Sequence, residues 1–570
     1  MFHKSGRLTL RLALLAAFVG TALVAAGPAA SSSYTITADG TPLTVTTTAA
    51  GENVRATFSG AAGQRVSLDI TGVAIGTSGC CSMKVWIVKP DGTLLVNQTY
   101  VGNAGAFLNT RTLPTAGTYR IVLDPQGTAK GSATLKLYTV PADLSIPAVA
   151  DGSPNVASVG TPGQNAYFPF SGTAGQRVSL EVSDVTMASA KVSILKPDGS
   201  NLLSAVSVNS AGAFFDPRTL PVNGTYKVFL NPVTRSTGNA TVRVHNVPAD
   251  VSATITSGGA PQTVSIVSPG QNARLSFSGI AGKRVSLSLS DVTMGSSACC
   301  SSKVSILKPD GSTLTPATLI GTSGGFLDRK ALPVSGTYKI VVNPQSSATG
   351  DMTLQLYDVP ADASGAIAAG TPLVSSLSTP GQNAAYTFTG SLSQRISLAV
   401  SGVSFAGAKV GIVKPDGSYL VFPATMGGSG GFIDAKVLPV AGVYKVTLDP
   451  VSDATGSATL SLYNVPADAS GSITIGGASQ SLSMSTPGQN GKLTFTAGAA
   501  QDLFLDMSSV TCNVKVSILK PDGTKLVFPT QIGTSGGSIS KTTTVAGTYT
   551  IVADPVAGET GSITFQLSSV

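Results

Sequence analysis

The sequence predicts an all-β chain of five tandem β-sandwich domains of jelly-roll or Greek-key type behind a cleaved signal peptide. Three observations carry this reading. The tetrapeptide Lys-Pro-Asp-Gly begins at Lys89, Lys196, Lys308, Lys414 and Lys520, at intervals of 107, 112, 106 and 106 residues, and the tyrosine of a Gly-x-Tyr element keeps step at Tyr119, Tyr226, Tyr338, Tyr444 and Tyr549. Such a step is one small domain; solenoid units run about 20–50 residues. Between the markers, short β-branched runs alternate in period two and are bounded by Gly, Pro, Asn and Asp, with no sustained 3.6-residue apolar stripe.

At the N-terminus, Lys4, Arg7 and Arg11 precede an apolar run from Leu12 to Ala26. The run is too short for a stable membrane span, and Val24-Ala25-Ala26 or Pro28-Ala29-Ala30 suits signal peptidase. Residues 1–30 are therefore expected to leave, and the mature chain to be secreted with no transmembrane segment. Removing the three basic residues lowers the formal charge from +8 to +5, and only 11% of residues are charged. No basic cluster suits nucleic acid.

The repeats are expected at 34–143, 144–250, 251–362, 363–468 and 469–570. In the fourth, Ala384–Thr389, Arg395–Val400, Lys409–Val413, Tyr444–Leu448 and Ala458–Tyr463 read as strands. Lys414-Pro415-Asp416-Gly417 reads as a hairpin turn: proline presets φ, aspartate tolerates the second corner, and glycine takes the left-handed position. Pro-Gly-Gln-Asn at Pro162, Pro269, Pro380 and Pro487 reads as a turn into the next strand; the first repeat has Gly51-Glu52-Asn53 instead. Leu438-Pro439-Val440-Ala441-Gly442-Val443-Tyr444 predicts a tyrosine corner, in which the phenol bonds backbone a few residues upstream.

The order is a strand ending Phe-x-Gly, then Gln-Arg-Val-Ser-Leu, the Ile-Leu-Lys-Pro-Asp-Gly hairpin, Gly-Thr-Tyr-Lys-Val and a closing Thr-Leu-x-Leu-Tyr strand. It resembles the bacterial pre-peptidase C-terminal (PPC) domain over each of the five units. The resemblance implies a jelly-roll-like sandwich and an extracellular setting. PPC domains usually accompany a catalytic domain, and this sequence offers none.

Val-Pro-Ala-Asp junctions end at Asp143, Asp250, Asp362 and Asp468, without a flexible spacer. They predict a semi-rigid rod of about 150–200 Å, which small-angle scattering from a compact globule would reject.

The residue inventory argues against catalysis. After export one histidine is left, His245, where other repeats have Tyr138, Tyr357 and Tyr463, so it reads as a substitute for a strand-end aromatic. Neither a recurring triad nor a multi-histidine zinc site follows from it. Glu52, Glu181 and Glu559 fall at non-equivalent places, so no acid–base pair recurs. Aspartates recur in the hairpins (Asp91, Asp198, Asp310, Asp416, Asp522) and after a phenylalanine (Asp216, Asp328, Asp434). Calcium ranks below the turn reading, because turn aspartates ordinarily bond nearby N–H groups. No cofactor, metal or catalytic residue is expected.

Cys80-Cys81 and Cys299-Cys300 are adjacent pairs in matching five-residue insertions, with Cys512 left over. Export favours oxidation, so Cys80, Cys81, Cys299 and Cys300 are the candidate site, as vicinal disulfides or free thiols that stiffen a loop tip, or as a loop-tip contact. Phe107, Phe214, Phe326 and Phe432 recur and read as core, as does recurring apolar residue generally. Lys84, Lys191, Lys303, Lys409 and Lys515 also recur; an isopeptide crosslink there ranks low. The expected function is a secreted, non-enzymatic structural, spacer or adhesive protein of the bacterial surface. Alternatives are an array of carbohydrate-binding modules or the stalk of a larger secreted system. Cell-wall or extracellular polysaccharide, or a surface protein, is the expected partner, with the oligomeric state open.

Overall fold

A computed structural model describes residues 31–569; the expected signal peptide over 1–30 lies outside the described residues. The chain divides into two compact units, Met1–Asn246 and Val247–Val570. The first holds repeats 1 and 2, the second repeats 3, 4 and 5. Among the described residues, helix is confined to one 3-10 turn, Val556–Gly558.

Repeat 1 shows the plan. Its strands are β1 (Ser31–Thr35), β2 (Leu43–Thr47), β3 (Asn53–Gly60), β4 (Arg65–Thr71), β5 (Met83–Val88), β6 (Leu94–Val101), β7 (Ala106–Thr112), β8 (Gly117–Pro125) and β9 (Gly131–Thr139). They form a five-stranded sheet, β1-β3-β8-β5-β6, and a four-stranded sheet, β2-β9-β4-β7. The same two orders recur in every repeat. β1 pairs parallel to β3; every other ladder of the repeat is antiparallel. β1 begins ahead of the expected boundary at 34. In the later repeats the first strand starts at Leu144, Val251, Ala363 and Ala469, directly after the junction aspartates.

The period-two pattern turns one face of each sheet inward. Val54, Ala56 and Phe58 of β3 and Tyr119, Ile121 and Leu123 of β8 meet Leu68 and Ile70 of β4 and Leu135 and Leu137 of β9 in one cluster. Each repeat has its own such cluster. The marker tyrosine is fully buried in all five. It stacks on the phenylalanine of the strand beside it, with centroids 5.4 Å apart for Phe58–Tyr119 and Phe388–Tyr444. Its hydroxyl donates to the carbonyl four residues upstream: Tyr119 to Thr115 at 2.7 Å, Tyr444 to Val440 at 2.7 Å and Tyr549 to Val545 at 2.7 Å. A buried phenol left unbonded would cost about 1–3 kcal/mol, so this bond lets an aromatic fill the core centre.

The Lys-Pro-Asp-Gly turn joins β5 to β6. Gly92 sits at φ 85°, and its N–H donates to the Lys89 carbonyl at 3.0 Å. Asp91 Oδ1 accepts from the Thr93 N–H at 2.8 Å. Those bonds hold its carboxyl below the usual range, as the same turn does for Asp198, Asp310, Asp416 and Asp522.

Candidate functional site at the repeat junctions

The signatures that do not enter a core converge where one repeat meets the next within a unit. The first is an arginine at the start of β4 or its counterpart, aimed at the junction aspartate. Arg65 Nη2 lies 2.6 Å from Asp143 Oδ1, Arg284 Nη1 2.8 Å from Asp362 Oδ1, and Arg395 Nη2 2.7 Å from Asp468 Oδ1. Arg65 also donates to the Pro141 carbonyl at 2.7 Å, and Arg395 to the Pro466 carbonyl at 3.0 Å. The guanidinium fork thus ties a proline carbonyl and a carboxylate of the linker at once. At Asp468 burial works against the charge, yet hydrogen bonds from Lys492 and Arg395 hold its carboxyl below the usual range.

The second is the glutamine of Pro-Gly-Gln-Asn, which reaches back to the linker. Gln164 Nε2 donates to Ala142 O at 2.9 Å, Gln382 to Ala361 O at 3.0 Å and Gln489 to Ala467 O at 2.9 Å. In repeat 1 Glu52 takes this place and turns inward on its own repeat. It accepts from Ser32 Oγ and from the N–H groups of Ala49 at 3.0 Å and Thr48 at 2.6 Å, and these bonds lower its carboxyl to about 2.

The third is the serine of Arg-Val-Ser-Leu. Ser67 Oγ donates to Pro162 O at 2.7 Å, Ser286 to Pro380 O at 2.7 Å and Ser397 to Pro487 O at 2.6 Å. Gly488, next to that carbonyl, has φ 86°, and a Cβ there would fall 3.0 Å from Ser397 Cβ. Glycine is required twice, by conformation and by approach.

The recurring phenylalanines correct one expectation. They do not enter the cores; their sequence neighbours Leu108, Leu327 and Ile433 do. Phe107, Phe214, Phe326 and Phe432 are only partly buried, on the outer face of the four-stranded sheet. Phe326 lies against Gly381 of the following repeat, and Phe432 against Gly558, where any Cβ would collide with the ring. Recurrence alone does not separate the two faces of a strand; the period-two pattern puts the neighbouring leucine or isoleucine inward.

Charged contacts complete the junctions. Arg235 Nη2 of repeat 2 lies 3.0 Å from Asp69 Oδ1 of repeat 1, and Ser288 Oγ of repeat 3 donates to Asp453 Oδ2 of repeat 4 at 2.5 Å. Burial pushes the Asp69 carboxyl up, against the pull of Arg235. Asp449 is pushed up by burial and then by the neighbouring Asp328 of repeat 3; Asp554 is pushed up by burial and then by Asp434 of repeat 4.

The cysteine loops lie elsewhere on the repeats. The structure bonds Cys80 to Cys81 and Cys299 to Cys300, all four exposed, and leaves Cys512 as a free, buried thiol. Both loops share one frame: the Cys81 N–H donates to Ser78 Oγ at 3.1 Å and the Cys300 N–H to Ser297 Oγ at 3.2 Å. Each loop rests on a glycine, Gly102 or Gly321, where a Cβ would strike the loop backbone. Repeat 2, which lacks the insertion, has Asn209 at that place.

No catalytic grouping emerges. His245 Nε2 lies 3.4 Å from Glu181 Oε2, and no cluster of three or more metal-ligating side chains occurs among the described residues. No helix of the described residues is long and apolar enough to cross a membrane. Exposed aromatics are few: Tyr100, Tyr419, Phe422 and Phe528 on β6 and its counterparts, with Lys84 Nζ 5.2 Å from the Tyr100 centroid and Tyr419 5.2 Å from Phe422. Trp86 is partly buried.

No family model and no curated protein matches the chain. Among solved structures, it is similar to the CUB1-EGF-CUB2 domains of human MASP-1/3, at 10% identity and a TM-score of 0.12, over 35% of this chain and 98% of that one. The M60 catalytic domain with two CBM51 domains from Clostridium perfringens ZmpB gives 10% and 0.14, over 70% and 55%. Bacteroides ovatus SGBP-B, solved with a mixed-linkage heptasaccharide, gives 12% and 0.10, over 76% and 96%. Likenesses this weak carry no inference about this chain.

Proposed function

We propose that this chain is a secreted, non-enzymatic structural or spacer protein of the bacterial surface with adhesive capacity, built from five PPC-like β-sandwich domains. One observation carries the reading: within each unit the arginine, glutamine and serine signatures tie repeat 1 to 2, repeat 3 to 4 and repeat 4 to 5. Little that recurs is left over for chemistry. Five separate cores, each fed by two sheets whose ladders are antiparallel except for the first strand, support discrete sandwiches over a β-solenoid, which stacks parallel coils around one continuous core. Tandem copies multiply weak contacts through high effective concentration. A carbohydrate-binding array is the second reading, favoured by the exposed Tyr100, Phe422 and Phe528.

The test is retention of the purified chain on isolated cell walls, alongside assays for peptide, ester and glycoside hydrolysis. Retention without turnover is expected. Hydrolysis that survives repurification would overturn the non-enzymatic reading.

A further inference from the structure

The fifth repeat keeps the fold but rewrites the face that grips a neighbour in repeats 1, 3 and 4. Asp502 stands where Arg65, Arg284 and Arg395 stand, Phe504 replaces the serine that bonds the proline carbonyl, and Ser538 replaces the recurring phenylalanine. The ladder changes too. In the first four repeats the pairing of β4 with β7, or its counterpart, shifts register after the second residue; in repeat 5, Asp502–Ser508 and Gly537–Thr542 pair without a shift. An arginine-binding aspartate and a Pro-Gly-Gln-Asn turn would meet a carboxylate and a ring here. The residues with which repeats 1, 3 and 4 grip a following repeat are thus absent from this face.

What the face offers instead is one aromatic ring among polar groups. Leu503 and Leu505 point into the core, so Phe504 stands outward, half-buried, between its ladder partners Ser540 and Ser568. Two positions along, Asp506 lies between Ser538 and Gln566. Asp506 has no hydrogen-bond or ion-pair partner among the described residues, whereas its counterparts Asp69 and Ser288 are engaged by the following repeat. Gln566 Nε2 is tied to Gly477 O at 2.7 Å, and its side-chain carbonyl oxygen remains an acceptor. A separate cleft of about 580 Å³, lined by Asp502, Leu503, Ser540, Lys541 and Thr542 and by none of Phe504, Asp506 or Gln566, lies at the start of the same strand pair.

We infer that this face of repeat 5 binds a neutral polysaccharide. A pyranose presents an apolar C–H face to stack on the Phe504 ring and equatorial hydroxyls for Asp506, Gln566 and the two serines. A protein partner would call for a desolvated apolar centre of several large side chains, and this face has one ring. An acidic glycan would meet Asp506 beside the ring and Asp502 at the strand start, against one neighbouring cation, Lys541. The interface that docks repeats elsewhere in the chain is here converted to a ligand surface. The inference rests on the adhesive side of the proposed function and gives it a partner.

The test is affinity electrophoresis of the full chain in gels containing neutral glucans and galactomannans, with acidic glycans in parallel. Phe504→Ser restores the residue of the other repeats and leaves the core untouched; Asp506→Asn removes only charge. The expected result is retardation by a neutral polysaccharide that weakens about tenfold or more in F504S, near 1.4 kcal/mol, and also weakens in D506N. Retardation equal in wild type and F504S overturns this site while leaving adhesion in place. No retardation in any gel overturns the inference. Concentration-dependent dimers abolished by F504S overturn it in favour of a second copy, and cell-wall retention without neutral-glycan binding separates its failure from that of the proposed function.

Discussion

Glu52 occupies the place that Gln164, Gln382 and Gln489 take elsewhere, and its hydrogen bonds set a pH response opposite in sign to that of Asp449 and Asp554. Its carboxyl is lowered from 4.5 to about 2 in the fold. Stability held by such a group is present above the unfolded value and lost as pH falls through the folded one. Repeat 1 is therefore expected to lose stability between pH 4.5 and about 2, and E52Q to flatten that loss, read from acid unfolding by circular dichroism. A glycine carries the second residue-scale prediction. Gly488→Ala adds a Cβ at φ 86° against Ser397 and should cost about 1–3 kcal/mol, measured by urea unfolding. Gly321→Ala pushes the cystine loop off its seat; added dithiothreitol should then reduce the Cys299–Cys300 disulfide faster than in wild type, read by alkylation and mass, with the far-ultraviolet spectrum unchanged.

At the scale of the element, burial and like-charge pairs act on the β8 counterparts. Asp449 and Asp554 are pushed up, so the stability they contribute is fully present below the usual carboxylate range and is lost as pH rises through the raised values. The contacts of repeat 4 with repeats 3 and 5 should tighten on mild acidification, and D449N should remove part of that dependence; hydrogen exchange around Asn383 and Asp328 at two pH values checks it. What the sequence revealed follows the same physics. In repeat 4 the five strands read from alternation are those whose residues feed the core on both sides of a ladder. Ala363–Ala366, Leu373–Leu377, Tyr419–Met426 and Gly431–Val437 went unread. All are edge strands of their sheets and bury few residues; Pro423 even removes a donor, which suits an edge and disguises a strand. The junction was legible as a border but not as a grip. The Arg395–Asp468 pair and the Ser397–Pro487 bond join residues 73 and 90 positions apart in chain, beyond any local pattern.

For the whole molecule, five similarly built cores are coupled within each unit, repeat 1 to 2 and repeats 3 to 4 to 5, through a repeated set of contacts that the recurring residues serve. Two departures mark the residues concerned: Glu52 bonds within its own repeat, and repeat 5 carries Asp502, Phe504 and Ser538 in place of the arginine, serine and phenylalanine. Arrays of this kind unfold as coupled neighbours, each stabilised by its interfaces. Cys512 reports on that coupling, because it is the one free cysteine, buried in the core of repeat 5, and burial raises its thiol pKa. Pulsed alkylation of Cys512 across a urea series, in wild type and in a chain carrying Arg395→Ala with Ser397→Ala, is the most direct measurement. Both substitutions lie in repeat 4. The account predicts that Cys512 becomes reactive at lower urea in the variant, by an amount matching about 1–3 kcal/mol of lost docking. Superimposable labelling curves would contradict it.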